Sequence, residues 1–322
     1  MKEKILEVKN LKVYYFLHQG VVKAVDDVSF SVYRGEVLGI AGESGCGKST
    51  LAHAILRLIK PPGEIVGGQI IFNGYDLLKL SEDEIRKIRG REISMIFQDP
   101  NTYLNPVFTS GFQVGEVFEA HMSLKPKKAI DKVIDIFRKV RLPDPARRVN
   151  AYPHELSGGM KQRVLISIGI AAKPQLLILD EPTSALDVTI QAEIMDLLKE
   201  IQRDMGMSMM FITHDLGLLA EISDRIMVMY AGRVVEMGDR DEIINDPLHP
   251  YTKALLSSFK YYRKKHLPVI EGSPPSLINP PRGCRFHPRC PVKTDKCSVV
   301  EPKLSSIDNN RFVSCHLYGD YP

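Results

Sequence analysis

No apolar stretch of this chain approaches the roughly 20 residues a helix needs to cross a bilayer. The longest, residues 164–172, has nine residues and includes Ser and Gly. The N-terminus reads Met-Lys-Glu-Lys and lacks the apolar core of a secretory signal. Both absences lead us to expect a cytoplasmic location. Charge of one sign is scarce as well. The 43 Lys/Arg and 39 Asp/Glu leave a net +4, far short of the basic excess of a dedicated nucleic-acid binder. Repeats of fixed period and low-complexity tracts are missing. Cysteine is sparse and uneven: Cys46 stands alone, whereas Cys284, Cys290, Cys297 and Cys315 fall within 32 residues. In a cytosolic chain such a group is more often a metal site than a set of disulfides. What remains is 322 residues that are 44% apolar and 25% charged, an ordinary globular composition that excludes wholesale disorder. At roughly 150 residues per domain, the length predicts two domains, or one large domain with an appendage.

Hydrophobic periodicity predicts strands over residues 6–13, 25–32, 37–40, 67–72, 176–179, 207–213 and 225–229. Helical patterns cover residues 48–59, 81–89, 127–140, 157–171 and 188–204, and Ser81 caps the second of these. Strands alternating with helices imply an α/β fold with a largely parallel sheet. Beyond residue 260 the character changes. Residues 260–322 hold 9 of the 21 prolines and 11 Lys/Arg against 5 Asp/Glu. This tail needs a staple to order, and its four cysteines could supply one.

Two motifs carry chemistry. Gly42-Glu43-Ser44-Gly45-Cys46-Gly47-Lys48-Ser49-Thr50 follows a strand and opens a helix, the context of a phosphate loop. Its glycines let successive N–H groups turn inward around an anion, and the helix start adds positive potential. Lys48 is placed for the β- and γ-phosphates and Ser49 for Mg²⁺. Cys46 occupies a variable position and reads as backbone lining. The second motif is an apolar strand ending in Asp180-Glu181. Asp180 suits Mg²⁺ held through water, and Glu181 suits polarisation of an attacking water.

A third segment, Leu156-Ser157-Gly158-Gly159-Met160-Lys161-Gln162-Arg163, lies about 20 residues before Asp180. Here the chain resembles the ATP-binding cassette (ABC) ATPases, whose signature usually reads Leu-Ser-Gly-Gly-Gln. Met160 is a departure, but Ser157, Gly158 and Gly159 are intact. The resemblance covers about residues 5–240. It implies a P-loop NTPase nucleotide-binding domain: a RecA-like parallel core, an antiparallel β subdomain, and a helical subdomain at about 101–172. It also implies roles. Ser44, Gly45, Cys46, Gly47, Lys48, Ser49 and Thr50 bind nucleotide. Ser49, Gln98 and Asp180 hold Mg²⁺. Glu181 and His214 are catalytic. Tyr15, in preference to Tyr14, stacks on adenine, and Ser184-Ala185-Leu186-Asp187 forms the loop that crosses the dimer interface. Ser157, Gly158 and Gly159 act in trans on ATP bound to a second ATPase subunit, a paralogue or another copy.

The tail narrows the resemblance. His249-Pro250-Tyr251-Thr252, then Gly272-Ser273-Pro274-Pro275, then the cysteines, look like the oligopeptide/dipeptide/nickel branch of ABC importers, closest to its D-type ATPase subunits. This extends the resemblance to nearly the whole chain, as a nucleotide-binding domain over 1–259 and a Pro/Cys-rich extension over 260–322. The cysteine spacings of five, six and seventeen residues lack the close pairs of a structural zinc site. The resemblance points to a [4Fe–4S] cluster on Cys284, Cys290, Cys297 and Cys315, its charge offset by Arg282, Arg285, Arg289, Lys293 and Lys296. Zinc, disulfides or free thiols remain alternatives, with His287 and His316 as further zinc candidates. A structural staple is the simpler role, with an oxidation sensor as the rival.

The implied function is ATP hydrolysis at the cytoplasmic face of the cell membrane. It energises uptake of dipeptides or oligopeptides through two membrane permease subunits, and works indirectly with an extracytoplasmic substrate-binding protein. The surface near Gln98 and residues 101–115 would pass motion to the permeases. Alternatives are an importer for nickel or oligosaccharide, or a non-transport ABC ATPase acting on nucleic acid or ribosomes. The blander readings are packing for Met205, Met207, Met209 and Met210, solvated faces for the charge runs at 125–128 and 263–265, and local structure for His154.

Overall fold

A computed structural model describes residues 3–124, 128–260, 271–308 and 310–319. The charge run at 263–265 and most of that at 125–128 lie outside them. Two compact units emerge, Met1–Lys79 with Phe211–Pro322, and Leu80–Met210.

The first unit opens with strands β1 (Lys4–Leu17), β2 (Gly20–Tyr33) and β3 (Val37–Ala41), helix α1 (Lys48–Ile55), and strands β4 (Gly63–Phe72) and β5 (Tyr75–Asp76). β1, β2, β4 and β5 form an antiparallel sheet in the order β2-β1-β4-β5. Its alternating apolar residues, Leu6, Val8, Leu11 and Val13 on β1 and Val28, Phe30 and Val32 on β2, are buried, as a sheet with one face on a core requires. β4 starts earlier than the apolar pattern suggests: Gly63, Glu64 and Ile65 pair with Tyr15, Tyr14 and Val13, and a register shift beside Gly67 lets the strand continue. α1 ends earlier than expected, because Arg57 takes a left-handed φ of 52° and prolines follow at 61 and 62.

The second unit holds α2 (Glu82–Ile88), β6 (Ile93–Ile96), α3 (Pro100–Tyr103), α4 (Ser110–Met122), α5 (Ile130–Lys139), α6 (Pro145–Arg148), α7 (Gly158–Ile170), β7 (Leu176–Asp180) and α8 (Val188–Met205). Ser81 caps α2 in a reciprocal capping box with Glu84, Ser157 caps α7, and Asp187 caps α8. β6 and β7 pair in parallel. α8 buries Ile194, Leu197, Leu198 and Ile201 on one face, the helical period at work.

Strand β8 (Ser208–Ile212) carries the chain back to the first unit, followed by α9 (Leu216–Ile222), β9 (Arg225–Tyr230), β10 (Arg233–Asp239), α10 (Arg240–Asn245), α11 (Pro250–Lys260), α12 (Asp295–Val299), β11 (Ser305–Ser306) and β12 (Phe312–Val313). β9 pairs in parallel with β3, but β10, β12 and β11 add antiparallel strands to that edge. The expectation of a largely parallel sheet therefore fails along this edge, where a tight turn at Ala231-Gly232 returns the chain antiparallel. The described tail residues belong to the first unit. Met207, Met209 and Met210 are buried packing residues, as their pattern suggests.

Two buried features lock the tail. Phe286 is 1% exposed and packs against Tyr230, Tyr251 and His249, with ring centroids 5.2, 5.4 and 5.8 Å away. Asp26, 4% exposed, accepts the Tyr14 hydroxyl at 2.7 Å and Arg233 Nη2 at 3.2 Å, and it also accepts Arg285 Nη2. Burial opposes ionisation of Asp26. The Tyr14 hydrogen bond and the two guanidinium charges outweigh it and hold the carboxyl below its ordinary range.

His249 is fully buried, and its Nδ1 accepts the Tyr251 N–H at 3.0 Å. Burial pushes its pKa down from 6.5 to about 3. Between these values the unfolded chain binds the proton and the folded chain does not, so this residue's stabilising contribution falls as pH drops from 6.5 toward 3. Denaturant melts across that range should show a slope approaching about 1.4 kcal/mol per pH unit from this group. His249→Asn, which keeps an acceptor and does not titrate, should flatten the slope relative to wild type.

Candidate functional site

The loop between β3 and α1 is built by close backbone approach. All five β3 residues are buried, which fixes the loop's entry. A Cβ at Gly42 would lie 2.3 Å from Met229 O and 2.6 Å from Cys46 Sγ. One at Gly47, where φ is +106°, would lie 2.1 Å from Ala24 O. Only glycine fits either place. Gly47 caps α1 without a side chain, so the first N–H groups of the helix stay available to an anion. Lys48 is 5% exposed, and its Nζ donates to the carbonyls of Gly42 at 2.7 Å and Glu43 at 3.1 Å. The ammonium is thus held inside the curl of the loop. Ser44, Gly45 and Ser49 are exposed and Thr50 half-buried. Cys46 is 4% exposed, and burial pushes its thiol pKa up, which makes it a poor nucleophile.

Two further residues of this unit bear on the site. Tyr15 is half-buried on β1, its ring over Gly63, where a Cβ would meet Cε1 at 2.6 Å. Tyr14 is committed elsewhere: burial, then its bond to Asp26, raises its pKa to about 12. His214 is exposed just after β8, beside Thr213, whose N–H donates to Ile40 O at 3.1 Å.

In the second unit Asp180 ends β7 and is 4% exposed, and Glu181 follows with a left-handed φ of 46°. Such a backbone is costly for a non-glycine residue and clusters at functional sites. Gln98 Nε2 donates to Glu181 Oε2 at 3.1 Å. Ser184 Oγ donates to Glu181 O at 3.1 Å. The signature residues Ser157 and Gly158 are exposed and Gly159 is half-buried. A Cβ on Gly159 would sit 2.8 Å from Ile190 Cγ2. Asp187 and Val188 are exposed as well, Val188 to 82%.

Comparison with known proteins decides the family. Residues 25–184 match the family "ABC transporter", and residues 235–297 match "Oligopeptide/dipeptide transporter, C-terminal region". The dipeptide transport ATP-binding protein DppD of Escherichia coli K12 is 47% identical over 314 residues, 97% of this chain and 96% of that protein. The chain belongs to the ATP-binding proteins of ABC transporters. The oligopeptide transport ATP-binding protein OppD of Bacillus subtilis 168 is 45% identical, covering 99% of this chain and 90% of that one. The ATP-binding cassette MJ0796, solved as a dimer in a post-hydrolysis state with ADP and Pi, matches with a TM-score of 0.65 and 28% identity, covering 73% of this chain and 98% of that one. As a member of this family the chain is an ATPase subunit coupled to transport, with the P-loop NTPase fold.

The ABC cassette does not exhaust the site. All five cysteines are free. Cys284, Cys290, Cys297 and Cys315 line one small cleft with Phe286, Val292 and Leu317. Among the described residues, no group of three or more His, Cys, Asp or Glu is arranged to hold a metal ion. Burial raises the Cys284 pKa to about 11 and shifts Cys290 and Cys315 upward, with the Cys297 thiol adding to all three. His287 and His316 line the same cleft, but each has a ring nitrogen on a backbone carbonyl: His287 Nδ1 lies 2.9 Å from Cys284 O, and His316 Nε2 lies 2.8 Å from Val300 O. The expectation that Arg285 and Arg289 balance a cluster's charge needs correcting. Arg285 pairs with Asp26 and Arg289 with Glu43. Sequence reasoning missed these partners because each is more than 240 residues away in the chain. A separate cleft of about 770 Å³ is lined by Asn10, Ser29, Arg233, Arg285 and Glu301 among others and includes none of residues 42–50. Of its three arginines, Arg233 and Arg285 are engaged by Asp26 and Glu301, and Arg225 by Glu36.

Gly47→Ala tests the loop. The added methyl meets Ala24 O at 2.1 Å in a left-handed backbone. The variant should lose at least about tenfold in Mg-ATP affinity, since the N–H groups of a distorted loop no longer converge. Equilibrium binding of a fluorescent ATP analogue measures it.

Proposed function

We propose that this chain is the ATPase subunit of a peptide importer, taking dipeptides or oligopeptides. The observation that carries this reading is similarity to peptide-import ATPases along nearly the whole chain, including the segment matched by the oligopeptide/dipeptide C-terminal region. In this reading Lys48 and the N–H groups of residues 44–50 bind the ATP phosphates. Ser49, Gln98 and Asp180 are the Mg²⁺ ligands. The ion, when bound, neutralises phosphate charge. Glu181 orients and polarises the attacking water, with Gln98 already bonded to its carboxylate. His214 supports the γ-phosphate, and Tyr15 stacks on adenine. Ser157, Gly158 and Gly159 serve nucleotide on a second ATPase subunit, a paralogue or another copy. Their exposure, and that of Asp187 and Val188, supports that role.

The partners are two membrane permease subunits, with an extracytoplasmic binding protein acting through them. In this reading the permeases hold the subunit at the cytoplasmic face; among the described residues no helix is long and apolar enough to cross a membrane. Tyr103, Val107, Phe108 and Phe112 are exposed apolar residues within 101–115. Stacking of Tyr103 on Phe97 and of Phe108 on Phe112 gives that surface a fixed shape, which supports permease docking there. The four tail thiols fit a [4Fe–4S] cluster. All four line one cleft, and four thiolates are the ligand set of such a cluster. Its part is a structural staple of the 260–322 extension.

Reconstitution with both permeases, the second ATPase and the binding protein in liposomes tests the function. Labelled dipeptide should accumulate with ATP hydrolysis, and absence of both sinks the reading. Glu181→Gln should keep Mg-ATP affinity and lose at least about a hundredfold in kcat. Separately, anaerobically purified protein should contain iron and sulfide in equal amounts. Stoichiometric zinc without iron would overturn the cluster.

A further inference from the structure

We propose that Arg289 is a positioning residue of the phosphate loop: it grips Glu43 from the cysteine-rich segment and so sets nucleotide affinity. Arg289 Nη1 lies 2.7 Å from Glu43 Oε2, and Nη2 lies 3.0 Å from Oε1. Two parallel bonds of this kind fix direction as well as distance. The guanidinium is itself oriented. Its Nε donates to Glu271 O at 3.0 Å, Nη1 reaches the Tyr230 hydroxyl at 3.3 Å, and the group lies over the Tyr230 ring. The Arg289 side chain is 6% exposed and that of Glu43 is 22% exposed, so water screens the pair far less than an ordinary surface ion pair.

Glu43 is the right place to hold the loop. Its N–H donates to the Tyr251 hydroxyl at 2.9 Å, and its carbonyl accepts Lys48 Nζ at 3.1 Å and Cys46 N–H at 3.2 Å. Ser44 and Gly45 beyond it are exposed, and a Cβ at Gly45 would touch nothing. The outer arm of the loop therefore has few restraints except at Glu43. Freeing Glu43 adds conformations that binding must remove, and that weakens affinity. A second grip comes from the same segment: Arg285 Nη1 donates to Ala231 O at 2.5 Å, and the next residue, Gly232, donates its N–H to Cys46 O at 2.9 Å. Arg285 and Arg289 are chain neighbours of Cys284 and Cys290, so ordering of the thiol group and ordering of the phosphate loop are mechanically joined.

This inference rests on the nucleotide-site reading, and the test separates the two. Mg-ATP affinity and steady-state hydrolysis are measured in the assembled transporter for wild type, Arg289→Ala, Arg289→Lys, Glu43→Gln, the Arg289→Ala/Glu43→Gln double variant and Lys48→Ala. Arg289→Ala and Glu43→Gln should each raise KM for ATP by about three- to tenfold with kcat within about twofold of wild type, and the double variant should be no worse than either. Arg289→Lys, keeping charge but losing the fork, should fall between. A merely structural contact would lower the melting temperature and leave KM unmoved. That result, or effects that multiply in the double variant, overturns the proposal. Should Arg289→Ala fail to fold, Glu43→Gln with the tail intact decides alone, and an unchanged KM there overturns it. Wild-type nucleotide affinity in Lys48→Ala overturns the site reading as well.

Discussion

The first unit depends on one buried negative charge. Asp26 sits on β2 with almost no access to water, and three groups from distant stretches of chain converge on it: the Tyr14 hydroxyl, Arg233 and Arg285. Taking a carboxylate out of water is expensive, and it is tolerated only when the lone pairs are filled and the charge is opposed. Here both conditions are met at once. The antiparallel sheet, β10 and the cysteine-rich segment must all be in place for the Asp26 carboxylate to receive all three donors. Such a node contributes specificity of assembly more surely than it contributes stability.

Around that node the phosphate loop is a problem of space before it is one of charge. Gly42 and Gly47 lie so close to Met229 O and Ala24 O that no side chain fits. Lys48 is folded into the curl these glycines create. The walls that press on the loop belong to β2 and β9 and to the turn after it, so the loop's shape is set by tertiary packing. The aromatic group of Tyr230, Tyr251 and Phe286 completes the enclosure, with Tyr251 reaching the loop backbone through its hydroxyl.

Much of this was legible in the sequence, for identifiable reasons. A glycine-rich turn between an apolar strand and a helix, an apolar strand ending in two acids, and a helix opening at Ser157 are local signals, and each element starts where its pattern put it. β6 and β10 were not read. β6 is short and broken by Ser94, so it lacks the continuous apolar run that marks residues 176–179. β10 carries Glu236 in its middle, and that charge breaks the apolar pattern although the carboxylate is buried and accepts the Leu248 and His249 N–H groups. The role of His249-Pro250-Tyr251 was visible only as a family mark. Its physical content, a buried neutral imidazole and a hydroxyl on the phosphate loop, needs coordinates. The partners of Arg285 and Arg289 were misassigned because proximity along the chain favoured the cysteines, whereas the fold supplied acids from the opposite end.

The tail's return to the beginning of the chain has a consequence for biosynthesis. β12 adds to the edge of β10, and a guanidinium at position 289 braces a carboxylate at position 43. A nascent chain emerges from its N-terminus, so the glycine-rich turn is made some 240 residues before the arginine that braces it. The brace on the glycine-rich turn therefore closes only after residue 289 has been made.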